Sequence, residues 1–191
     1  LTRAYGPALD KELFDWLKTL YPVWAGLTPD YLDVATRLAL AELLLSGCTT
    51  AADHHYVFPG GLENAVDIQA AAAREMGVRV TLTRGSMNLS VDDGGLPPRS
   101  VVQKGDAILA DSARVIDAFH DPSAGAMIQI ALAPCSPFSV TREIMADTAA
   151  LAADRNVRLH THLAETEDEN TFCVEMFGCR PLDYLDQVGW L

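Results

Sequence analysis

The chain has 191 residues, 14 Lys and Arg against 26 Asp and Glu, and a formal charge of −12. Hydrophobic residues make up 49%, enough for a sizeable core and too many for a disordered, self-repelling tail. An acidic surface repels phosphate backbones, which argues against nucleic acid, and no uncharged apolar run approaches the roughly 18–20 residues that cross a membrane.

Helical periodicity begins after Pro7, with Leu9, Leu13, Trp16, Leu17, Leu20 and Trp24 on one broad face. A second helix opens on Thr28 as N-cap with Pro29 at its first position, runs to about Ser46, and ends at Gly47. Cys48 to His55 reads as a strand, and Leu62 to Met76 as a helix stopped by Gly77. The unit then recurs. Val78 to Thr83 is a strand, Gly94 to Pro98 a mobile loop, and Val101 to Phe119 a helix capped by Ser100. Met127 to Ala133 is the third strand, followed by a helix that Ser139 can cap and that runs to about Arg155. Val157 to Leu163 is the fourth strand, and an acidic loop then leads into a helical region reaching Val188.

Strands alternating with helices require right-handed crossovers and a parallel sheet. No Gly-x-Gly-x-x-Gly follows any strand, which weakens a dinucleotide-binding reading. The expected fold is therefore α/β: about four βα units, too few for the ~250 residues of a closed (β/α)8 barrel, but suited to its central part. The opening Leu1-Thr2-Arg3 and closing Trp190-Leu191 read as truncation at both ends. Cys48, Cys135, Cys173 and Cys179 form no Cys-x-x-Cys pair and read as reduced thiols of a cytoplasmic protein, a Cys173–Cys179 bridge being the lesser alternative.

The stretch Leu159-His160-Thr161-His162-Leu163-Ala164-Glu165 carries the chemistry. Residues two apart on a strand share a face, so His160 and His162 point together, opposite Leu159, Thr161 and Leu163. His162 near the strand's carboxyl end, with Glu165 one turn later, suits metal-assisted hydrolysis: imidazole as ligand, and a carboxylate that moves protons. The competing reading is a pair of hydrogen-bonded core histidines. For His160 a packing or supporting role is expected. His54, beside Asp53, either contacts substrate or hydrogen-bonds Asp53 to fix its loop. Arg84 ends a strand, as a cation that grips a substrate carbonyl or as a surface ion pair. Cys135 and Phe138 lie in a strand-to-helix turn that either lines a pocket or covers the core. The acidic residues up to Glu169, apart from Glu165, read as a solvated helix start.

His162-Leu163-Ala164-Glu165, together with Gly47-Cys48-Thr49-Thr50 and Ala133-Pro134-Cys135-Ser136-Pro137-Phe138, resembles the amidohydrolase superfamily, in its branch of purine and pyrimidine deaminases and triazine hydrolases. Leu1-Thr2-Arg3-Ala4, Leu13 to Leu17, Leu20-Tyr21-Pro22, Asp53-His54 and Gly94 to Pro98 are most similar to its 8-oxoguanine-deaminating group. The resemblance implies a divalent metal, zinc first with iron or manganese as alternatives, held in part by His162, and Glu165 as proton shuttle to a ring nitrogen. It implies hydrolytic deamination of a small purine-like heterocycle, with 8-oxoguanine the preferred substrate. The alternatives are guanine or cytosine deamination, triazine hydrolysis, or a metal-free binding module. The family's other ligands match no residue of this chain, so the 191 residues alone are expected to hold metal poorly, to be inactive, and to work within a longer chain in a homo-oligomer.

Overall fold

The computed structural model describes residues 6–191; Leu1 to Ala4, which carry part of the resemblance, lie outside the described residues. Helices α1 (Leu13–Trp24) and α2 (Pro29–Leu45) precede strand β1 (Thr50–Ala52). Then come α3 (Ala65–Met76), β2 (Arg79–Ser86), α4 (Gly105–Phe119) and β3 (Ile128–Pro134). The chain continues through α5 (Arg142–Arg155), β4 (Arg158–Leu159), α6 (Glu167–Phe177) and α7 (Pro181–Gln187). The four strands lie parallel in the order β1-β2-β3-β4, as repeated βα units require.

Strand parity divides the sheet into two faces. Val80 and Leu82 of β2, and Ile128, Ile130 and Leu132 of β3, pack on Val66, Ala70 and Ala73 of α3 and on Val115 and Ile116 of α4. Each of the Val, Leu and Ile side chains, once fully buried, contributes about 1.5–3 kcal/mol. The residues between them, including Thr81, Gln129, Ala131 and Ala133, belong to the other, concave face. A second apolar cluster closes the carboxyl end of the strands: Leu17 and Tyr21 of α1 pack there with Val57, Met87, Val101, Cys135 and Phe138.

Several boundaries differ from the sequence expectations, each for a local reason. The helix expected from Val101 starts at Gly105, because Val102 is extended and the Gln103 N–H donates to Met87 O (2.9 Å). Thr141, not Ser139, caps α5 by accepting the Ile144 N–H; Ser139 is buried with its hydroxyl on Ser136. The last helical region is two helices, separated at the left-handed Gly178. Ladder β4 is short, yet single bonds extend its course: His160 N–H donates to Leu132 O and His162 N–H to Cys135 O, both at 3.0 Å. The loop at Gly94 to Pro98 is tied down. Val91 N–H donates to Pro97 O, Gly95 N–H to Ser90 O, and Leu96 N–H to Phe138 O.

Gly85 marks where the segment after β1 crosses closest to β2. Its N–H donates to His55 O (2.9 Å), and a Cβ there would sit 2.2 Å from that same oxygen. Gly85→Ala is therefore expected to destabilise the protein by about 1–3 kcal/mol, the usual cost of overpacking; urea unfolding with an unchanged midpoint would contradict this.

Candidate active site

His162 is half-buried at the carboxyl end of the sheet, and its ring is fixed by a backbone carbonyl. Its Nδ1 lies 2.9 Å from Cys135 O. A carbonyl only accepts, so in the neutral ring the proton sits on Nδ1 and Nε2 keeps its lone pair. Nε2 has no hydrogen-bond partner among the described residues. The same carbonyl takes the His162 N–H and, at 3.2 Å, the Thr161 hydroxyl.

The His54 ring stacks on that of His162, with centroids 4.2 Å apart and planes 7° from parallel. His54 is held in turn by Nε2, which donates to Ala133 O (3.1 Å), while its buried Nδ1 is without a partner among the described residues. Burial, and then the neighbouring His162 charge, push the His54 pKa down to about 3, so the ring is neutral. His160 shares this face, 4.4 Å from the His54 ring, and is exposed; it packs on His54 and makes no hydrogen bond to His162. The bond that orients His162 comes from the Cys135 carbonyl instead.

Tyr56, which the sequence reading did not single out, stands edge-on to both His54 (5.3 Å) and His162 (5.7 Å). Trp24 reaches it from α1, with ring centroids 6.3 Å apart. A cavity of about 210 Å³ opens between Trp24, Leu27, His54 and Tyr56. No spacing motif marks Tyr56; only its step from the Asp53-His54-His55 strand end could have drawn notice.

Glu165 follows His162 through a sharp turn in which Ala164 is left-handed, φ 53°. Its side chain is exposed and borders a second cavity of about 550 Å³ with Thr166, Asn170 and Arg180. Burial raises the Tyr56 and Cys135 pKa values, and in both cases the Glu165 charge adds to the rise. Glu169, expected to be solvated, is fully buried, and its two oxygens accept the N–H groups of Ala164 (2.9 Å) and Glu165 (2.7 Å). Thr166-x-x-Glu169 has the spacing of a capping box, but the carboxylate bonds the two residues before Thr166 instead, a partner choice that the spacing does not reveal.

Three expected substrate contacts are displaced. Arg84 has the parity of Val80 and Leu82, so it faces the helices. There it is buried, donating to Asp111 Oδ2 (2.6 Å) and Gln103 Oε1 (3.0 Å) with its guanidinium 3.9 Å over the Phe58 ring. It is neither a substrate grip nor a surface ion pair. Phe138 is 2% exposed, with Phe14 (4.8 Å) and Phe172 (6.3 Å) against it, so it offers no open ring face. The Cys135 thiol is buried and its pKa pushed up to about 12, chiefly by burial; what it presents to the site is its carbonyl. Asp53 does not bond His54. It accepts from Thr83 N–H (2.7 Å) and Gln69 Nε2 (2.6 Å), tying the end of β1 to β2 and α3. All four cysteines are free thiols.

A metal fits one of these groups. The bare, oriented Nε2 of His162 has the character of a ligand whose other ring nitrogen is held by a carbonyl. Among the described residues, however, no three His, Cys, Asp or Glu side chains gather into a ligand set.

The amidohydrolase family profile matches residues 3–191. The chain is 64% identical over its whole length to 8-oxoguanine deaminase of Pseudomonas aeruginosa, covering 42% of that protein. It is 36% identical to hydroxydechloroatrazine ethylaminohydrolase of Pseudomonas sp. (strain ADP), over 94% of this chain and 37% of that one. It superposes with a TM-score of 0.93 and 32% identity on a variant of atrazine chlorohydrolase TrzN from Arthrobacter aurescens TC1 complexed with zinc and atraton, covering 99% of this chain and 43% of that chain. The chain thus spans about two fifths of the relatives it matches, and its parallel βα units correspond to part of their barrel.

His55, on the helix side, has its ring edge-on to Phe58 (4.9 Å), and burial with the Arg84 charge lowers its pKa from 6.5 to about 4. The unfolded chain takes up this proton below 6.5 and the folded chain only near 4. The stability it contributes is therefore complete above 6.5 and is lost as pH falls toward 4. Urea midpoints should fall between pH 7 and pH 4.5, and less steeply in His55→Asn; equal slopes in the two proteins would refute the assignment.

Proposed function

The chain belongs to the amidohydrolase family, and from that premise we propose that it carries the central βα units of a metal-dependent hydrolytic deaminase whose substrate is a purine-like ring, 8-oxoguanine in particular. The observation that carries this reading is the oriented, bare His162 Nε2 at the carboxyl end of the sheet beside Tyr56, with the exposed Glu165 three residues on. The 64% identity to an 8-oxoguanine deaminase supports the choice of substrate.

A divalent metal, zinc on this reading with iron or manganese as alternatives, supplies when bound an activated water for attack on the ring carbon that bears the amine. His162 would hold it through Nε2, its plane kept by the Cys135 carbonyl and the stacked His54. Glu165 carries a proton to the adjacent ring nitrogen as that carbon becomes tetrahedral. The amine then leaves as ammonia, and the water oxygen stays on the ring to give a urate-type product. Tyr56 and Trp24 form the aromatic wall beside which a planar substrate lies. The neutral state of His54 suits this mouth, since a second positive charge would oppose a bound cation.

A second reading, hydrolysis of a triazine substituent with the same groups, is favoured by the likeness to hydroxydechloroatrazine ethylaminohydrolase and to TrzN. On either reading the protein is cytoplasmic and assembles as a homo-oligomer. Among the described residues no helix is long and apolar enough to cross a membrane. Among the described residues α2 leaves Tyr31, Val34, Leu38 and Leu45 exposed, an apolar stripe that either the rest of a longer chain or a second copy would cover.

In the full-length enzyme, Glu165→Gln should keep its metal by elemental analysis and lose about 10²–10⁴-fold in turnover of 8-oxoguanine. His162→Ala should lose both metal and turnover. Comparing 8-oxoguanine, guanine, cytosine and hydroxyatrazine as substrates decides between the two readings. Absence of metal and of all four activities in the full-length protein would leave a binding module.

A further inference from the structure

Glu169 is a buried carboxylate to which the proposed reaction gives no task. Of the acidic side chains it is the one with 0% exposure, and taking a carboxylate out of water costs several kcal/mol before any compensation. A leucine there would fill the space under α6 without that cost. The compensation observed is specific: two charge-assisted hydrogen bonds, at 2.9 and 2.7 Å, to the successive N–H groups of Ala164 and Glu165.

These bonds do not serve the ordinary capping role. A capping box at Thr166-x-x-Glu169 would return the glutamate to the Thr166 N–H and set the Thr166 hydroxyl on the helix. Here α6 has no side-chain cap, the Thr166 hydroxyl is buried without a partner among the described residues, and the carboxylate reaches past it into the loop. What it clasps is the turn containing Ala164, a non-glycine residue at φ 53°. That conformation is unfavourable for an L side chain and persists only where its surroundings enforce it. The next residue is Glu165, the proton carrier of the proposed function.

We propose that Glu169 is a positioning residue: by accepting both N–H groups it holds the left-handed turn that presents the Glu165 carboxylate to the substrate. The inference rests on the role given to Glu165. Only a carboxylate performs this task, since it accepts at both oxygens; a glutamine would set its own N–H groups against one of the two donors.

The test is a double-mutant cycle in the full-length, metal-loaded enzyme. Glu169→Gln should lower kcat by about 10²-fold, the scale of a small misplacement of a reacting group, with KM and metal content unchanged. In the Glu165→Gln background the same change should cost nothing more, because the group it positions is gone. Ala164→Gly, which adopts the left-handed turn without strain, should restore part of the turnover lost in Glu169→Gln. An equal factor in both backgrounds, or a loss that only tracks the folded fraction in thermal melts, overturns the inference. Should Glu169→Gln fail to fold, Glu169→Asp, which keeps the charge and shortens the reach, enters the same cycle with the same criteria. Full turnover in Glu165→Gln would overturn the role of Glu165 itself, whereas loss there with none in Glu169→Gln overturns this inference alone.

Discussion

One carbonyl oxygen, that of Cys135, sets the geometry on which the site depends. It lies just past the end of β3 and receives the His162 backbone N–H, the His162 ring Nδ1–H and the Thr161 hydroxyl. The first bond carries the chain beyond β4 alongside β3; the second selects a tautomer and leaves Nε2 bare. A backbone acceptor is well suited to this. It moves only if the strand moves, and β3 is anchored by Ile128, Ile130 and Leu132 in the main apolar cluster. The core and the bare ring nitrogen are thus joined through two hydrogen bonds and one pleat.

Glu165 and Glu169, which follow His162, differ by environment. Glu165 is exposed and its charge is felt by Tyr56 and Cys135, whereas Glu169 is enclosed and bound to backbone N–H groups. Burial raises the Glu169 pKa, and the two N–H bonds oppose the rise. Two residues of one type, four apart on the chain, therefore differ in chemistry because one faces solvent and the other lies beneath a helix.

Arg84 shows what alternation can and cannot tell. Its position at a strand's end suggested a substrate grip, but its parity with Val80 and Leu82 already assigned it to the helix face. Read by parity, its partner had to come from a helix, and Asp111 of α4 is that partner. Parity succeeded at His160 and His162: both rings meet His54 on the concave face, while Leu159 and Leu163 pack among the helices. Phe138 and the Cys135 side chain lay beyond such reasoning. They sit in an irregular turn, where no period governs direction, and the covering rings of Phe14 and Phe172 come from distant helices.

The sequence by itself determined the order of βα units, the parallel sheet, the shared face of the two histidines and the kinship of the motif ending in Glu165. The first three follow from periodicity and local spacing, which act over a few residues; the last is a resemblance of motifs. Tertiary structure alone decided which atom orients His162, that His54 lies flat against it, that Tyr56 and Trp24 form a wall, and that Glu169 is enclosed. Each of these depends on contacts between segments brought together by packing, where burial and hydrogen-bond partners, not residue type, set the chemistry.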